Sequence, residues 1–396
     1  MHTILKRTWA EIDLDRLRHN WETIRRVVHK DTRMMAVVKA DAYGHGAVTV
    51  SRVLDSLGAD CFAVSNLDEA IQLRDAGIKR PILILSYTPP AEAATLARYG
   101  ITQTVISADY AAALSAAATA ANVNITVHIK IDTGMSRVGF VHHHAADRET
   151  VSAAVIAAAK LPHLCAEGIF THFASADEQD DGFVKEQFSR FMQTVEDAAA
   201  GGVHFAVRHC ANSAAIERFP EMQLDMVRPG IILYGLAPDD SWMHSLLPLQ
   251  PVMQLKTVIS MVKTLPAGET LSYNRTYTTD RETTVATVPI GYADGYARTM
   301  SNTAHMLLHG KKVPVIGRVC MDQCMLDVSG VPARVGDIVT VFGDALTTEQ
   351  YAAWMHTINY EAVCLIGKRV PRVYMENGEA VGYEGLLTEH GGAAHE

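Results

Sequence analysis

The sequence contains few cysteines, no long hydrophobic run and no cluster of basic residues. Its 6 cysteines are scattered over 396 residues, whereas disulfide frameworks belong to short, cysteine-dense secreted domains, so we expect reduced, mostly buried thiols. No segment approaches the ~20 apolar residues that a membrane span needs, and the N-terminal segment lacks the apolar core of a signal peptide. The net charge of -9 without any Lys/Arg run argues against a nucleic-acid partner. We therefore expect a soluble cytoplasmic protein.

Common catalytic and metal-binding motifs are also missing. No GxxxxGK[ST], HExxH or GxSxG segment occurs, which excludes the P-loop and the commonest zinc-protease and serine-hydrolase signatures. Cys320 and Cys324 have no further CxxC or paired histidine to complete four zinc ligands. The run His142-His143-His144 looks metal-like, but consecutive side chains cannot all face one ion, and we interpret the run as a solvated loop. No metal site is predicted.

Short apolar runs alternate with helix-like segments over the first part of the chain. The runs are rich in Val and Ile and are bounded by Gly, Asp or Ser, as buried parallel strands are. The predicted strands are Met34–Ala40, Cys61–Asn66, Pro81–Ser86, Thr102–Ser107, Ile125–Asp132, Leu164–Phe173, Phe205–Ala211 and Met226–Tyr234. The helices predicted between them include Leu67–Ala76, Ala108–Ala121, Asp147–Lys160 and Phe183–Ala200. This alternation predicts an α/β fold, a closed (β/α)8 barrel, with an open doubly wound sheet as the alternative.

The pattern changes after Leu236, where a turn at 237–240 and a proline-punctuated linker begin. The remainder indicates a mostly-β domain with one helix, Glu349–Thr357, opened by a Thr347/Gln350 capping box, and a hairpin at 309–310. The predicted strands are Val252–Thr264, Thr283–Pro289, Met306–Leu308, Lys312–Gly317, Gln323–Val328 and Asp337–Phe342. We divide the chain into a barrel domain (1–240, its first ten or so residues able to pack on the second domain), a mostly-β domain (241–388) and a tail (389–396).

One lysine lies where a barrel carries its reactive residues, at the C-terminal end of a strand. Lys39 ends the apolar run MMAVV and precedes the loop ADAYGHG. Partial burial there lowers the pKa of the amine and makes it a nucleophile or base, able to form a Schiff base with an aldehyde. An ordinary surface lysine is the alternative interpretation.

Three further strand ends carry residues suited to anions. Arg228 and Gly230 follow Met226-Val227, near the last strand, where barrels often bind phosphate and where a glycine lets backbone N–H groups approach closely. Ser213 adds a hydroxyl at the end of the preceding strand. Lys130 and Arg137 bracket the end of the fifth strand, and a guanidinium there suits a carboxylate or a phenolic oxygen. Structural ion pairs are the alternative for both arginines.

A series of short motifs carries a family resemblance. In chain order they are AVVKADAYGHG, KIDTGMSRVGF, GIFTHFASAD, HCANSAA, VRPGIILYG, LSYNRTY, PIGYADGY, GRVCMDQ and TINYEAVCLIGKRVPRVY. They resemble the motifs of bacterial alanine racemases, from Thr8 to about Tyr374. The resemblance implies a pyridoxal-phosphate enzyme with a barrel followed by a mostly-β domain, which interconverts L- and D-alanine and supplies D-alanine for peptidoglycan.

The resemblance also implies how the cofactor is held. Lys39 resembles the lysine that binds pyridoxal phosphate covalently. Arg228 resembles the arginine that faces the pyridine nitrogen; because arginine stays protonated, it keeps that nitrogen unprotonated and disfavours transamination. His172 and His209 resemble the residues that orient Arg228 and pack beside the ring. The residues expected to surround the phosphate are Tyr43, Ser213, Gly230, Ile231 and Tyr360.

Racemisation needs proton donors and acceptors on both faces of Cα. The resemblance assigns one face to Lys39 and the other to Tyr273, which in the family reaches the active site of the partner subunit, so a homodimer with a shared site is implied. Arg137 resembles the group that binds the cofactor's phenolic oxygen and the substrate carboxylate. Lys130 matches the lysine that the family carbamylates, which would turn a cation beside Arg137 into an anion.

The remaining positions concern substrate access and choice. Met321 is expected to offer its N–H to the substrate carboxylate beside Cys320 and Asp322, and Tyr292 and Tyr360 to narrow the entry. The bulk of Tyr360 suits a methyl side chain, although a small size difference is worth only about 1–3 kcal/mol.

The sequence departs from the family motifs at three positions, and it leaves several alternative functions open. Ser136 stands where the family often has glycine, and Asn274 and Arg275 follow Tyr273. A broader serine/alanine racemase is one alternative. A fold-related pyridoxal-phosphate decarboxylase is disfavoured by Arg228, a cofactor carrier by the second domain, and a cofactor-free aldolase by the predicted phosphate site.

Overall fold

A parallel barrel forms the N-terminal half of the protein. The computed structural model describes residues 7–238 and 246–385. The chain enters through strand β1 (Thr8–Asp13), which lies outside the barrel. The next strands are β2 (Arg33–Val37), β3 (Cys61–Val64), β4 (Ile82–Ile84), β5 (Thr102–Val105), β6 (Ile125–Asp132), β7 (Phe140–Val141), β8 (Leu164–Phe170), β9 (Val207–His209) and β10 (Met226–Val227). The short β7 pairs with β6 alone, and the other eight form the barrel wall.

The barrel wall follows the order β10-β2-β3-β4-β5-β6-β8-β9 with every pairing parallel. Backbone bonds from the Asp225 N–H to the Arg208 carbonyl (3.2 Å) and from the Arg228 N–H to the Ala211 carbonyl (3.0 Å) close the gap between β9 and β10. The predicted α/β barrel is confirmed. The last predicted strand was wrong beyond Val227, because Pro229 donates no N–H and a 3-10 turn follows at Ile231–Tyr234.

Helices pack around the barrel and return the chain to its N-terminal face. They are α1 (Leu14–Val27), α2 (Lys39–Gly44), α3 (Ala47–Ser56), α4 (Leu67–Asp75), α5 (Ala93–Tyr99), α6 (Ala108–Ala121), α7 (Arg148–Ala159), α8 (Gly182–Ala200) and α9 (Ser213–Arg218). Of these, α2 is a single left-handed turn. The four helices predicted by name are confirmed to within a residue at each end. Side-chain caps start several of them: Asn66, Ser107 and Asn212 each accept a backbone N–H three residues on. Among the described residues no helix is long and apolar enough to cross a membrane.

The C-terminal half is built mainly from strands, as predicted. They are β11 (Met253–Val258), β12 (Met261–Leu265), β13 (Thr270–Leu271), β14 (Tyr277–Thr278), β15 (Thr283–Val288), β16 (His305–Leu308), β17 (Lys311–Ile316), β18 (Cys324–Asp327), β19 (Ile338–Phe342), β20 (Arg372–Glu376) and β21 (Glu379–Glu384). The helices are α10 (Thr348–Met355), capped by the Thr347 hydroxyl, and the unpredicted α11 (Asn359–Cys364). The hairpin at 309–310 is confirmed by the β16–β17 pairing, whereas the predicted strand 252–264 is two strands, β11 and β12.

Strand β1 joins the two halves, because it belongs to the C-terminal sheet although it comes first in the chain. It pairs antiparallel with β11 and parallel with β20, in a 10-stranded sheet. The second half of the predicted turn at 237–240, the domain boundary at 240 and the tail at 389–396 lie outside the described residues, so that division stays a prediction. The cysteines are free; three are buried and Cys165 and Cys364 are exposed, so "mostly buried" overstated their burial.

Candidate active site

A cavity of about 370 Å³ opens where the barrel strands end. Its walls come from residues at or just after the C-terminal ends of β2, β3, β4, β6, β8, β9 and β10, which is where this fold carries its chemistry. The predicted site residues that line it are Lys39, Tyr43, Lys130, Arg137, His172, Ser213, Arg228, Gly230, Ile231 and Tyr360. The structure therefore brings together ten residues that are spread over most of the sequence.

The segment after Lys39 is a left-handed turn. Ala40, Asp41, Ala42 and Tyr43 have φ between 52° and 55°, although none is glycine. Left-handed backbone costs roughly 1–2 kcal/mol per non-glycine residue, so surrounding contacts must hold this turn. Such strain is concentrated at functional sites, and here it directly follows the lysine.

Contacts from both halves of the protein hold the turn. The Ala40 N–H donates to Glu69 (2.8 Å), and the Ala47 N–H donates to the Asp41 carboxylate (2.8 Å). Buried Arg372, from β20, donates to the carbonyl of Gly44 (2.8 Å). A Cβ on Gly44 would collide with the Val363 carbonyl of α11, so this close approach needs a glycine. The C-terminal half thus positions the loop that carries Lys39.

The cavity concentrates positive charge. Burial, together with the nearby Arg137 guanidinium, lowers the pKa of Lys39 below its ordinary value. Burial and Arg228 lower the pKa of Lys130 to about 7. The Lys130 ammonium donates to the Ile131 carbonyl (2.9 Å) and lies 5.4 Å from the centre of the Phe170 ring. Cations crowded in low dielectric favour anionic ligands.

Arg228 is buried where it lines the cavity, and both of its terminal nitrogens bond to barrel residues. One terminal nitrogen contacts the Nδ1 of His209 (2.9 Å). The other donates to the Thr171 carbonyl (2.9 Å) and contacts the Nδ1 of His172 (3.2 Å). Burial lowers the pKa of Arg228 to about 10, so the guanidinium stays charged at neutral pH. His172 and His209 have pKa values well below the usual range, because both are buried beside this cation.

A polar corner forms where Tyr43, Ser213 and Gly230 meet. The Gly230 N–H donates to the Ser213 hydroxyl (3.0 Å), and a Cβ on Gly230 would lie 2.9 Å from the Tyr43 hydroxyl oxygen. The Tyr43 and Tyr360 rings lie 6.2 Å apart, so the α11 residue Tyr360 closes this corner from the other half of the chain. The two hydroxyls and the backbone of Gly230, which no Cβ covers, meet at one point and suit an anion.

The loop after β6 positions Arg137. The Asp132 carboxylate accepts N–H bonds from Gly134, Ser136 and Arg137 at 3.0–3.1 Å, which folds 132–137 into a tight turn. Asp132 thus binds the backbone of the loop, leaving the Arg137 side chain to line the cavity. Ser136 has φ 56°, a left-handed conformation that explains why glycine suits this position.

Of the six other predicted site residues, His209 bonds to Arg228 inside the barrel. The remaining five form a separate group on the C-terminal half, Tyr273, Tyr292, Cys320, Met321 and Asp322, which we call the exposed cluster. Tyr273 is 67% exposed, and Ser272, Asn274 and Arg275 around it all have positive φ. The N–H of Tyr292 donates to the Cys320 carbonyl (3.1 Å), which links two loops of the cluster. None of these side chains lines the barrel cavity of the same chain, within the residues described.

The three consecutive histidines contact different partners. His142 is buried and bonds to Thr194 (2.8 Å), His143 bonds to Asp132 (3.1 Å), and His144 is exposed. The interpretation of the run as a solvated loop was therefore wrong for His142, which follows β7 and points inward. Within residues 7–238 and 246–385, no group of metal-ligating side chains is arranged to hold an ion.

Family models match both halves of the chain. The model "Alanine racemase, N-terminal domain" matches residues 12–238, and "Alanine racemase, C-terminal domain" matches residues 252–374. The chain belongs to the alanine racemase family.

Similar proteins of the alanine racemase family agree over nearly the whole length. The alanine racemase of Desulfovibrio desulfuricans is 50% identical over 370 residues, which cover 93% of this chain and 98% of that protein. A solved alanine racemase structure from Clostridium difficile 630 has a TM-score of 0.92 at 41% identity, covering 97% of this chain and 100% of that one. A Bacillus anthracis alanine racemase with bound L-Ala-P has a TM-score of 0.92 at 34% identity, covering 98% and 100%.

Several features of this alanine racemase family site were not predicted from sequence. Leu85 and Ser86 line the cavity just after β4, and Phe170 lies under Lys130 and Arg228 at the end of β8. Their positions at strand ends were a usable signal, since that rule selected Lys39. By contrast, no local pattern marks buried Arg372, whose role comes from contacts across more than three hundred residues.

Proposed function

We propose that this protein interconverts L- and D-alanine in the cytoplasm, using pyridoxal phosphate bound at Lys39, and so supplies D-alanine for peptidoglycan. Membership of the alanine racemase family supports the reaction. The observation that carries the proposal is the placement of Lys39: a partly buried amine, held by a left-handed turn, in the same cavity as Arg228 and the Ser213–Gly230 corner.

The residues present fit this cofactor. Pyridoxal phosphate brings a phosphate, a phenolic oxygen and a ring nitrogen, and the cavity offers a matching group for each. A Cβ on Gly230 would fill the corner beside the Tyr43 and Ser213 hydroxyls, where the phosphate would lie. Arg137 would meet the phenolic oxygen, and Arg228 the ring nitrogen. The cationic walls offset the negative charge of the group.

The chain's own residues would then move protons at the substrate Cα. Bound pyridoxal phosphate supplies an electron sink that makes the Cα hydrogen acidic. The Lys39 amine, its pKa lowered by burial, is available to take a proton from one face or return one to it. A phenol on the opposite face returns or removes the other proton, which inverts the configuration. Arg137 would hold the carboxylate, and the bulk of Tyr360 favours a methyl side chain.

That phenol would come from Tyr273 of the partner subunit in a homodimer. In one chain Tyr273 is exposed, yet its loop is held in a strained backbone by the bond from the Ser272 hydroxyl to the Arg318 carbonyl (2.7 Å). A cavity of about 580 Å³ beside Tyr273 and Cys320 offers room for contacts from a second chain. We propose that Met321, Asp322 and Tyr292 frame the substrate entry from the same side.

The proposal is tested by incubating the purified protein with pyridoxal phosphate and L-alanine, and separately with D-alanine, followed by chiral chromatography. Both reactions should approach an equal mixture, and L-serine run in parallel should react more slowly because Tyr360 restricts the side-chain space. Lys39→Ala should show neither turnover nor the long-wavelength absorbance of lysine-bound cofactor.

Two results would contradict the proposal. One is an unchanged enantiomer ratio with a protein that has visibly bound the cofactor. The other is Lys39→Ala protein that keeps the cofactor's lysine-bound absorbance, which would place the attachment elsewhere.

A further inference from the structure

A line of hydrogen bonds crosses the barrel interior from the active-site arginine to its opposite mouth. Arg228 contacts the Nδ1 of His209 (2.9 Å), and the Nε2 of His209 contacts the Nδ1 of His128 (2.9 Å). The Nε2 of His128 contacts the carboxylate of Glu167 (3.4 Å). His209 and His128 are buried, whereas the Glu167 side chain is partly exposed.

The bonding partners determine where each ring proton lies. Arginine only donates, so the Nδ1 of His209 must be the bare nitrogen. Its pKa lies well below the usual range because of burial and Arg228, so the ring is neutral and its proton is on Nε2. That proton is donated to the Nδ1 of His128, whose own proton is then on Nε2 and points at Glu167. In every hydrogen bond of the line, the donor is therefore the group nearer Arg228 and the acceptor is the group nearer Glu167.

Two local features of the barrel wall place Glu167 and His128 in hydrogen-bonding positions. The β6–β8 register pairs Val127 with Ala166 and His128 with Gly168, which leaves Glu167 as the extra residue of a β-bulge. Bulges re-aim side chains, and this one directs Glu167 toward His128. A Cβ on Gly168 would lie 2.7 Å from the His128 ring, so only glycine leaves room for it.

We propose that Glu167 and His128 are positioning residues, which fix the tautomer of His209 and thereby hold its Nδ1 as a permanent acceptor for Arg228. The tautomer of a histidine is set by the partner of its other nitrogen, and a carboxylate at the end of such a line strengthens each bond before it. The effect on catalysis rests on the proposed function of Arg228 at the cofactor ring. The proton pattern does not depend on that function.

The far end of the line reaches the N-terminal mouth of the barrel. A cavity of about 50 Å³ there is lined by Glu167, His128, Arg33 and Asp60, and is large enough for water. The pKa of Glu167 is lowered, chiefly by its bond to His128, so the carboxylate is ionised at neutral pH. The anchor of the line thus lies on the opposite side of the barrel from the substrate, and its substitution leaves the cavity around Lys39 untouched.

Neutron diffraction from crystals of the full-length protein tests the proton pattern directly. Deuterium should appear on the Nε2 of both His209 and His128, and neither Nδ1 should carry one. Deuterium on the Nδ1 of His128 would overturn the proposal, whatever the activity of the protein.

Variants at Glu167 test the consequence for turnover. Glu167→Leu removes the acceptor and should lower kcat about tenfold in both directions, with KM for alanine changed by less than about threefold, as for other residues that orient a functional ligand. Glu167→Gln keeps an acceptor oxygen and should stay within about threefold of the unsubstituted protein. Glu149→Leu, on the exposed surface of α7, is the matched control and should have no effect.

The outcomes separate this inference from the proposed function. If the unsubstituted protein does not racemise alanine, the proposed function fails, and the neutron map still decides the proton pattern. If it does racemise alanine but Glu167→Leu and Glu167→Gln have equal kcat, the positioning role is wrong. If Glu167→Leu does not fold, Gly168→Ala, which displaces the His128 ring, should lower kcat instead, and unchanged kcat there would overturn the inference.

Discussion

Buried cationic groups dominate the site at the scale of single residues. Lys130, with about 4% of its surface exposed, has no described carboxylate bonded to its amine, only the Ile131 carbonyl. Its pKa of about 7 follows from burial and the neighbouring Arg228. Near neutral pH a large fraction of the amine is therefore unprotonated, which is the form that can react with carbon dioxide. The anion so formed would face Arg137, as the family resemblance implies.

Replacing Lys130 with methionine should change how stability depends on pH. In the folded protein Lys130 has a pKa of about 7, whereas an unfolded lysine titrates near 10.4. Between these values the unfolded chain holds one more proton, so the free energy of unfolding rises with pH by up to about 1.4 kcal/mol per pH unit. Lys130→Met should remove that slope in urea unfolding, measured in buffer free of carbon dioxide between about pH 7.5 and pH 9.5.

The exposed residue Lys79 gives the matched control, because Lys79→Met replaces a solvated lysine. Its slope should equal that of the unsubstituted protein. Equal slopes for Lys130→Met and Lys79→Met would show that Lys130 keeps an ordinary pKa in the folded state.

At the scale of elements, a strained turn in the barrel depends on a strand of the other half. Arg372 of β20 donates to four carbonyls, of Gly44, Ile366, Gly367 and Val370. Three of these bonds satisfy backbone carbonyls that follow α11, and the fourth holds the end of the left-handed turn that begins after Lys39. The same strand pairs with β1, so the turn is fastened to the C-terminal sheet rather than to the barrel alone.

Arg372→Leu should loosen this turn and destabilise the protein. It leaves buried carbonyls without a charged donor, so the free energy of unfolding should fall by about 3 kcal/mol or more. Amide hydrogen exchange of residues 38–47 should accelerate, because the left-handed turn at 40–43 within this segment loses a restraint. The exposed Arg26, which forms a surface ion pair with Glu22, provides the control; Arg26→Leu should cost less than about 1 kcal/mol. Unchanged exchange at 38–47 in Arg372→Leu would rule out the restraint.

At the scale of the whole molecule, the predicted site residues fall into two groups. Ten surround the barrel cavity, with His209 bonded to one of them, Arg228, and the exposed cluster lies on the C-terminal half without lining it. The proposed homodimer would reconcile the two groups, because a two-fold axis would repeat both and let each chain complete the other's site. Tyr273 and Met321, which are exposed on one chain, would then lie in the interface between the two subunits.

Complementation between two inactive variants tests the shared site. Lys39→Ala and Tyr273→Phe, co-expressed with different affinity tags, should form mixed dimers in which one of the two sites has both residues intact. With equal expression and random pairing, about half of the dimers are mixed, and each of these has one intact site of two. About a quarter of the unsubstituted activity should therefore return. Lys39→Ala paired with itself should remain inactive under the same conditions. Inactive but confirmed mixed dimers would mean that Tyr273 acts within its own chain or not at all.

Local patterns determined much of this architecture. The eight barrel strands follow from Val- and Ile-rich runs bounded by turn residues, and the cavity position of Lys39 and Arg228 follows from the rule that barrels are functional at their strand ends. Element ends were less accurate, as at Pro229, since they depend on turn geometry. The motifs around Tyr273 and Met321 were found through family resemblance. The local pattern of one chain does not show which of its residues would act in the active site of a partner subunit.

The sequence by itself determined the alternation of strands and helices and the residue types at the strand ends, because those depend on periodicities of a few residues. Only the tertiary structure decided the left-handed turn after Lys39, the bulge that directs Glu167 inward, and the bonds that Arg372 makes across the molecule. Each of these is either an unfavourable local conformation or a contact that no local sequence pattern predicts. Each is stabilised by packing between segments that are far apart in the chain.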